Sequence, residues 1–184
     1  MHLAQNLSDI FVALVSSLKR HDIPFSIAGA FAVSIYTQPR ATSDIDLITF
    51  TDQKTKERIT ALLNQTFHLI QAHNEPLPIS FFEIYRYVIK SESEVPLVIP
   101  IDFISIPEKY LSIVLSRSIV LPHDGVDIPF ISREDLIIMK LGSNRAKDID
   151  DLERLMEDGK QMDLDYIRSW ARTFSLPIDK IIAP

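Results

Sequence analysis

The sequence contains no cysteine and only four glycines in 184 residues. Average glycine usage of about 7% would place roughly 13 in a chain of this length. Each of the four is therefore expected where another residue would be strained or would block a close approach. Without cysteine, a disulfide framework, a zinc ribbon and a thiol nucleophile are all excluded. No stretch reaches the ~18 consecutive apolar residues of a membrane span. The opening Met1-His2-Leu3-Ala4-Gln5-Asn6 lacks a basic segment leading into an apolar one, so no secretory signal is expected and the expected location is cytoplasmic. Positive charge is also in deficit, with 19 Lys+Arg against 25 Asp+Glu and a formal net charge of −6. That disfavours a general nucleic-acid coat and says little about a local basic site.

What is present is globular. A hydrophobic content of 46% with 24% charged residues argues against disorder. No segment is repetitive or rich enough in Pro, Gly or Ser to read as a linker, so residues 1–184 are expected to form one domain. Leu3, Leu7, Ile10, Phe11, Leu14, Val15 and Leu18 recur at spacings of three and four and predict a helix. Lys19, Arg20 and His21 suit its C-terminal end, and Pro24 stops it. A short strand (Phe25 to Ala28), a tight turn at Gly29 and a helix from Ala30 to Tyr36 follow. Asp44 to Phe50 reads as a strand, and Thr51/Asp52 as the cap of a helix reaching about Phe67. Strands are expected over Phe81–Ile89 and Leu97–Ile106, with His68 and His73 at a helix end and in a loop. His123-Asp124-Gly125 predicts a tight turn between strands Ile119–Leu121 and Val126–Phe130. Ser132 caps a helix through Arg133-Glu134-Asp135. A second helix carries Ile149, Leu152, Leu155 and Met156 and ends at Gly159, and a third spans Leu164 to Phe174. Gly142 reads as a helix break or soft spot. The expected class is α/β (α+β): a small mixed sheet flanked by helices over residues 1–131, then a helical part over 132–184.

The most informative stretch is Gly29-Ala30-Phe31-Ala32 followed by Arg40-Ala41-Thr42-Ser43-Asp44-Ile45-Asp46-Leu47-Ile48. Side chains alternate along a strand, so Asp44 and Asp46 share one face, about 7 Å apart along the chain. Two such carboxylates repel unless a cation lies between them, and hard oxygen ligands suit Mg²⁺ or Mn²⁺. The plain alternative is the solvated face of an edge strand, since Asp-x-Asp alone is a weak motif. Asp102 adds weight, because it stands alone in the apolar run Val98-Ile99-Pro100-Ile101-Asp102-Phe103-Ile104, where a charge needs a partner or a metal. So does the glycine-led helix start, whose backbone N–H groups at Gly29 and Ala30 can receive a phosphate.

These residues together resemble the nucleotidyltransferase superfamily of DNA polymerase β type. Gly29-Ala30, the Asp44-Ile45-Asp46 strand and the later Asp102 correspond to its helix start, its Asp-x-Asp strand and its third acidic residue. The wording around Arg40-Ala41-Thr42-Ser43-Asp44-Ile45-Asp46-Leu47 is similar to AbiEii-like small bacterial nucleotidyltransferases, many encoded in toxin–antitoxin pairs. Arg133 to Leu141 and Arg145 to Leu152 resemble the helical segment of that branch. The resemblance runs from about residue 27 to 155. It departs at Ala30, where the family has Gly or Ser and a serine hydroxyl helps hold the triphosphate.

The resemblance implies that Asp44, Asp46 and Asp102 bind Mg²⁺ (or Mn²⁺). It implies transfer of a nucleoside monophosphate from an NTP to a hydroxyl on a tRNA, a protein or a small molecule, with a cognate antitoxin as a partner. Asp102 would help deprotonate the attacking hydroxyl. Lys140 would contact the triphosphate, with Asp148 orienting it or Lys147. From spacing alone, Lys140, Asn144, Lys147 and Asp151 read as an ordinary charged helix surface. Arg40 and Thr42 are expected to brace the loop before Asp44 beside the nucleotide, although Thr42 is equally a turn residue. The histidines show no metal-ligand spacing, and neither a P-loop nor G-x-S-x-G is present. Phe81, Phe82, Tyr85 and Tyr87 at strand spacing read as packing rather than base-stacking residues. The other class open to this sequence is a catalytically silent protein that binds a nucleotide or a partner. Three retained carboxylates count against it, and Ala30 counts for it.

Overall fold

A computed structural model of the chain describes residues 6–73, 75–91, 96–157 and 162–180. The first helix, α1 (Leu7–Arg20), is capped by the Asn6 side chain, which accepts from the Asp9 N–H, and it buries Ile10, Phe11, Leu14, Val15 and Leu18. Strand β1 (Phe25–Ile27) and helix α2 (Gly29–Tyr36) follow, then β2 (Ile45–Thr49). Helix α3 (Gln53–Thr66) starts at the Asp52 cap, and its Thr66 hydroxyl meets Ser17 of α1 at 3.1 Å. The next strands are β3 (His68–Ala72), β4 (Leu77–Ile79), β5 (Phe82–Lys90) and β6 (Val98–Ser105). Helix α4 (Glu108–Arg117) precedes the hairpin of β7 (Ile119–His123) and β8 (Val126–Phe130), whose turn residues Asp124 and Gly125 both have positive φ. Three α-helices follow, α5 (Arg133–Ser143), α6 (Ala146–Glu157) and α7 (Leu164–Thr173), and a 3₁₀ turn at Ile178–Lys180 closes the described chain.

The eight strands form one mixed sheet in the order β3-β5-β6-β2-β1-β8-β7, with β4 also paired to β5. The β1–β8 and β2–β6 pairs are parallel, and the others are antiparallel. Register decides what faces what. Ile45 and Leu47 lie beside Ile101 and Phe103 on one face, all four fully buried. On the other face Asp46 lies beside Asp102, and Asp102 lies opposite Arg86 of β5. A single apolar cluster joins the strands to residues of all seven helices, from Leu14 on α1 to Ala171 on α7.

Several elements differ from the pattern read in the sequence. Helix α4 is not signalled, because Pro107 at its cap and the β-branched Ile113 and Val114 obscure its period of Tyr110, Leu111 and Val114. Strands β3 and β4 lack the apolar alternation of a buried strand because most of their residues are exposed. His68 thus opens β3 instead of closing a helix, while His73 follows β3 as a connection. Gly142 does not break a helix. It lies inside α5, where an added Cβ would come 2.6 Å from Phe81 Cε1, so it admits an aromatic ring close to the backbone. The helix ends instead at Asn144, in the left-handed conformation at φ 48°. The expected start at Leu3 and stop at Gly159 lie outside the described residues.

Candidate active site

Asp46 sits within β2, and Asp44 one residue before the strand. The apolar Ile45 and Leu47, pinned in the opposite face, set the direction of both carboxylates. Asp102 reaches the same place from the adjacent parallel strand. One carboxylate oxygen from each of Asp44, Asp46 and Asp102 can be chosen so that all lie within 4.8 Å of one another. Burial first, then the charges of Asp44 and Asp102, push the Asp46 carboxyl up to about 7. Crowded carboxylates with this strain are a donor set that fits a hard divalent cation, which relieves the repulsion.

Each carboxylate has its own support. Thr42 Oγ1 donates to Asp44 Oδ1 at 2.6 Å, so the threonine holds the first carboxylate and closes the turn before β2. Arg86 grips Asp102 with two parallel hydrogen bonds, Nε to Oδ1 at 2.8 Å and Nη2 to Oδ2 at 2.6 Å. This arginine went unrecognised in the sequence. Its signal was there: a buried carboxylate in an apolar strand needs a partner, and a lone arginine punctuates the aromatic neighbouring strand.

Gly29 opens α2 at φ +58° directly against this cluster. A Cβ built on it would lie 1.8 Å from Asp46 Oδ2, so the absent side chain leaves room for the carboxylate itself. Ala28 offers α2 no side-chain cap, which leaves the first-turn N–H groups, including that of Ala30, to other acceptors. These groups line a cavity of about 120 Å³ together with Arg40, Lys140, Lys147 and Asp148. Thr42 is not among its lining residues.

The far wall comes from the corner between α5 and α6. Lys140, almost wholly buried, donates to Asp148 Oδ1 and Asp151 Oδ2, each at 2.7 Å. Arg145 Nε and Ser143 Oγ complete Asp148 at 2.7 and 2.6 Å, and Arg40 grips Asp151 through Nε and Nη2, each at 3.1 Å. Burial alone would raise the Asp148 carboxyl. The Arg145 hydrogen bond and the Lys140 charge outweigh it and hold the group well below the usual range. Asp151 is held low in the same way by Lys140 and Arg40. Lys140, Asp148 and Asp151 therefore form a fixed buried unit instead of an ordinary helix surface. Among the described residues, two of the three Lys140 donors are committed to these carboxylates. Arg40 braces from the Asp151 side.

A carboxylate cluster on neighbouring parallel strands thus faces an uncapped glycine-led helix and a cationic wall. The family model for the nucleotidyltransferase of unknown function DUF6036 matches residues 5–176, and the chain belongs to that family. No protein of curated function matches the sequence. Among solved structures, a protein from H. pylori assigned as a nucleotidyltransferase is 19% identical with a TM-score of 0.55, the match covering 98% of this chain and 80% of that one. An antigenic nucleotidyltransferase-like protein from Paracoccidioides brasiliensis is 15% identical, with a TM-score of 0.54 and coverage of 93% and 88%. The ANT(2")-Ia structure in complex with adenylyl-2"-tobramycin is 10% identical, with a TM-score of 0.55 and coverage of 90% and 95%. At these identities the likeness is one of fold. Among the described residues, no helix is long and apolar enough to cross a membrane.

Proposed function

We propose that this chain transfers a nucleoside monophosphate from an NTP to a hydroxyl group of an acceptor. The observation that carries the reading is the convergence of Asp44, Asp46 and Asp102 within 4.8 Å beside the open start of α2. The three carboxylates would hold Mg²⁺ or Mn²⁺, which when bound neutralises triphosphate charge and stabilises the attacking and leaving oxygens of an in-line displacement. The chain's own groups do the rest. The N–H groups at Gly29 and Ala30 bind phosphate oxygens at the positive end of α2. The remaining Lys140 donor points positive charge at the same cavity, and Asp148 with Asp151 fixes where that charge sits. The Asp102 carboxylate, steadied by Arg86, takes up the proton of the attacking hydroxyl. The acceptor oxygen bonds to the α-phosphorus, the bond from that phosphorus to the α,β-bridging oxygen breaks, and pyrophosphate leaves with the electron pair. Positioning and fixed charge supply most of the rate.

The motif's similarity to AbiEii-like proteins supports a toxin–antitoxin or defence setting in the cytoplasm, with a cognate antitoxin as partner. The adenylylated tobramycin held by ANT(2")-Ia supports a small-molecule acceptor as readily as RNA or protein. The second reading is a silent nucleotide-binding protein, favoured by Ala30, which brings no hydroxyl to the phosphate site. Incubation with Mg²⁺, each α-labelled NTP, and acceptor fractions of tRNA, protein and small molecules separates the two. Label transfer that disappears in Asp44→Asn and Asp46→Asn is expected. NTP binding without any transfer would instead establish the silent reading.

A further inference from the structure

A second cavity, of about 320 Å³, adjoins the first. His73, Glu75, Pro76, Leu77, Ile84 and Arg86 line it. Ile84 and Arg86 also line the carboxylate cavity, so the two meet at the row where Arg86 holds Asp102. The second cavity lies along the edge of β5 beside β4, whose Leu77 pairs with Ile84, while the His73 N–H donates to the Arg86 carbonyl at 2.9 Å. Leu77 is 58% exposed, an apolar residue of this lining that folding leaves uncovered.

Resting on the nucleotidyltransferase reading above, we propose that this cavity is the acceptor subsite and that it takes a small, positively charged hydroxyl compound with an apolar body. The size falls in the range of small-molecule pockets, roughly 300–1,000 Å³, which are largely apolar with a few orienting polar groups. Pro76, Leu77 and Ile84 supply the apolar surface, and His73 and Glu75 the polar edge. The charge pattern disfavours a nucleic acid, whose affinity rests on lysine and arginine contacts to phosphate. The only arginine in this lining is committed to Asp102 by two hydrogen bonds, and Glu75 adds negative charge to the lining. That carboxylate favours a cationic acceptor instead. A hydroxyl seated beside Ile84 enters the carboxylate cavity from the Arg86–Asp102 side. Its oxygen then bonds to the α-phosphorus of the NTP, its proton passes to Asp102, and pyrophosphate leaves.

The test pairs transfer with binding. The full chain, Mg²⁺ and each α-labelled NTP are incubated with the dialysable fraction of a cell extract and, separately, with total tRNA. Leu77→Asp and Glu75→Lys are compared with the parent protein, and the rise in melting temperature with NTP and Mg²⁺ is measured for all three. Labelled product in the dialysable fraction is expected, reduced about tenfold by either substitution, the scale of a lost pocket contact, with the NTP-induced melting shift intact. Label on tRNA or on protein, or dialysable label insensitive to both substitutions, would overturn the acceptor assignment. NTP binding with no label transferred in any fraction, or an absent melting shift in the parent protein, would overturn the underlying nucleotidyltransferase reading instead. Because both residues are exposed, each substitution is expected to fold as the parent does, and the melting curves without ligand verify it.

Discussion

Two residues concentrate the chemistry of the site. Gly29 is held at φ +58°, and Asp46 Oδ2 occupies the space its side chain would take. Gly29→Ala therefore meets backbone strain of about 1 kcal/mol or more as well as a steric collision. In urea unfolding the substitution is expected to cost more in the parent than in an Asp46→Ala background, because removing the carboxylate removes the colliding oxygen. Equal costs in the two backgrounds would mean that strain alone excludes alanine. Arg86 makes the second case. Its guanidinium is half-exposed, yet it balances a buried Asp102. Arg86→Ala is expected to lower stability by about 1–2 kcal/mol in divalent-free buffer, the cost of a buried group stripped of its partner. Added Mg²⁺ should recover part of that loss by supplying positive charge to the same carboxylates. A loss unchanged by Mg²⁺, read from the same unfolding curves, would show that no cation reaches Asp102.

At the scale of elements, the corner between α5 and α6 sets the cationic wall. Asn144 turns the chain in the left-handed conformation, and that turn brings Lys140 back onto Asp148 and Asp151. Lys140→Met leaves two buried carboxylates short of a counter-ion, and a loss of about 3 kcal/mol in urea unfolding is expected. Lys147→Met, at an exposed position, should cost far less. If the two cost the same, Lys140 is not a strut. The sequence made much of this legible. The strand carrying Asp46, the glycine-led helix and the Ser132 and Asp52 caps all follow from local rules of alternation and hydrogen bonding. What it hid depends on pairing across long distances. The Arg86–Asp102 grip exists only through the register of β5 on β6. The burial of Lys140 depends on a corner placed by one asparagine, whereas helical spacing alone treats that stretch as a continuous solvated face. Asp135 shows the same limit. First-turn position explains its helix but not its complete burial, where it accepts hydrogen bonds from Tyr110, Tyr166 and Ser132.

The whole molecule balances two groups of carboxylates with opposite titration behaviour. Asp148 and Asp151 ionise more readily folded than unfolded, so the stability they contribute is present near neutral pH and is lost as pH falls below about 4. Asp46 has the reverse sign. Its folded carboxyl titrates at about 7, above the ordinary 3.8, so the folded state holds a proton that the unfolded state has released. Stability from this group therefore declines as pH rises from about 4 to 7. Without divalent ions, the contribution of Asp46 thus favours the folded state more at pH 5 than at pH 7. A cation bound by Asp44, Asp46 and Asp102 displaces that proton, so its stabilising effect must grow as the solution becomes less acidic. Melting curves with Mg²⁺ and with a chelator, taken from pH 5 to pH 8, are expected to separate increasingly with pH, and Asp46→Asn should flatten the trend. A separation that stays constant across the range, or survives Asp46→Asn unchanged, would place the ion away from these three carboxylates.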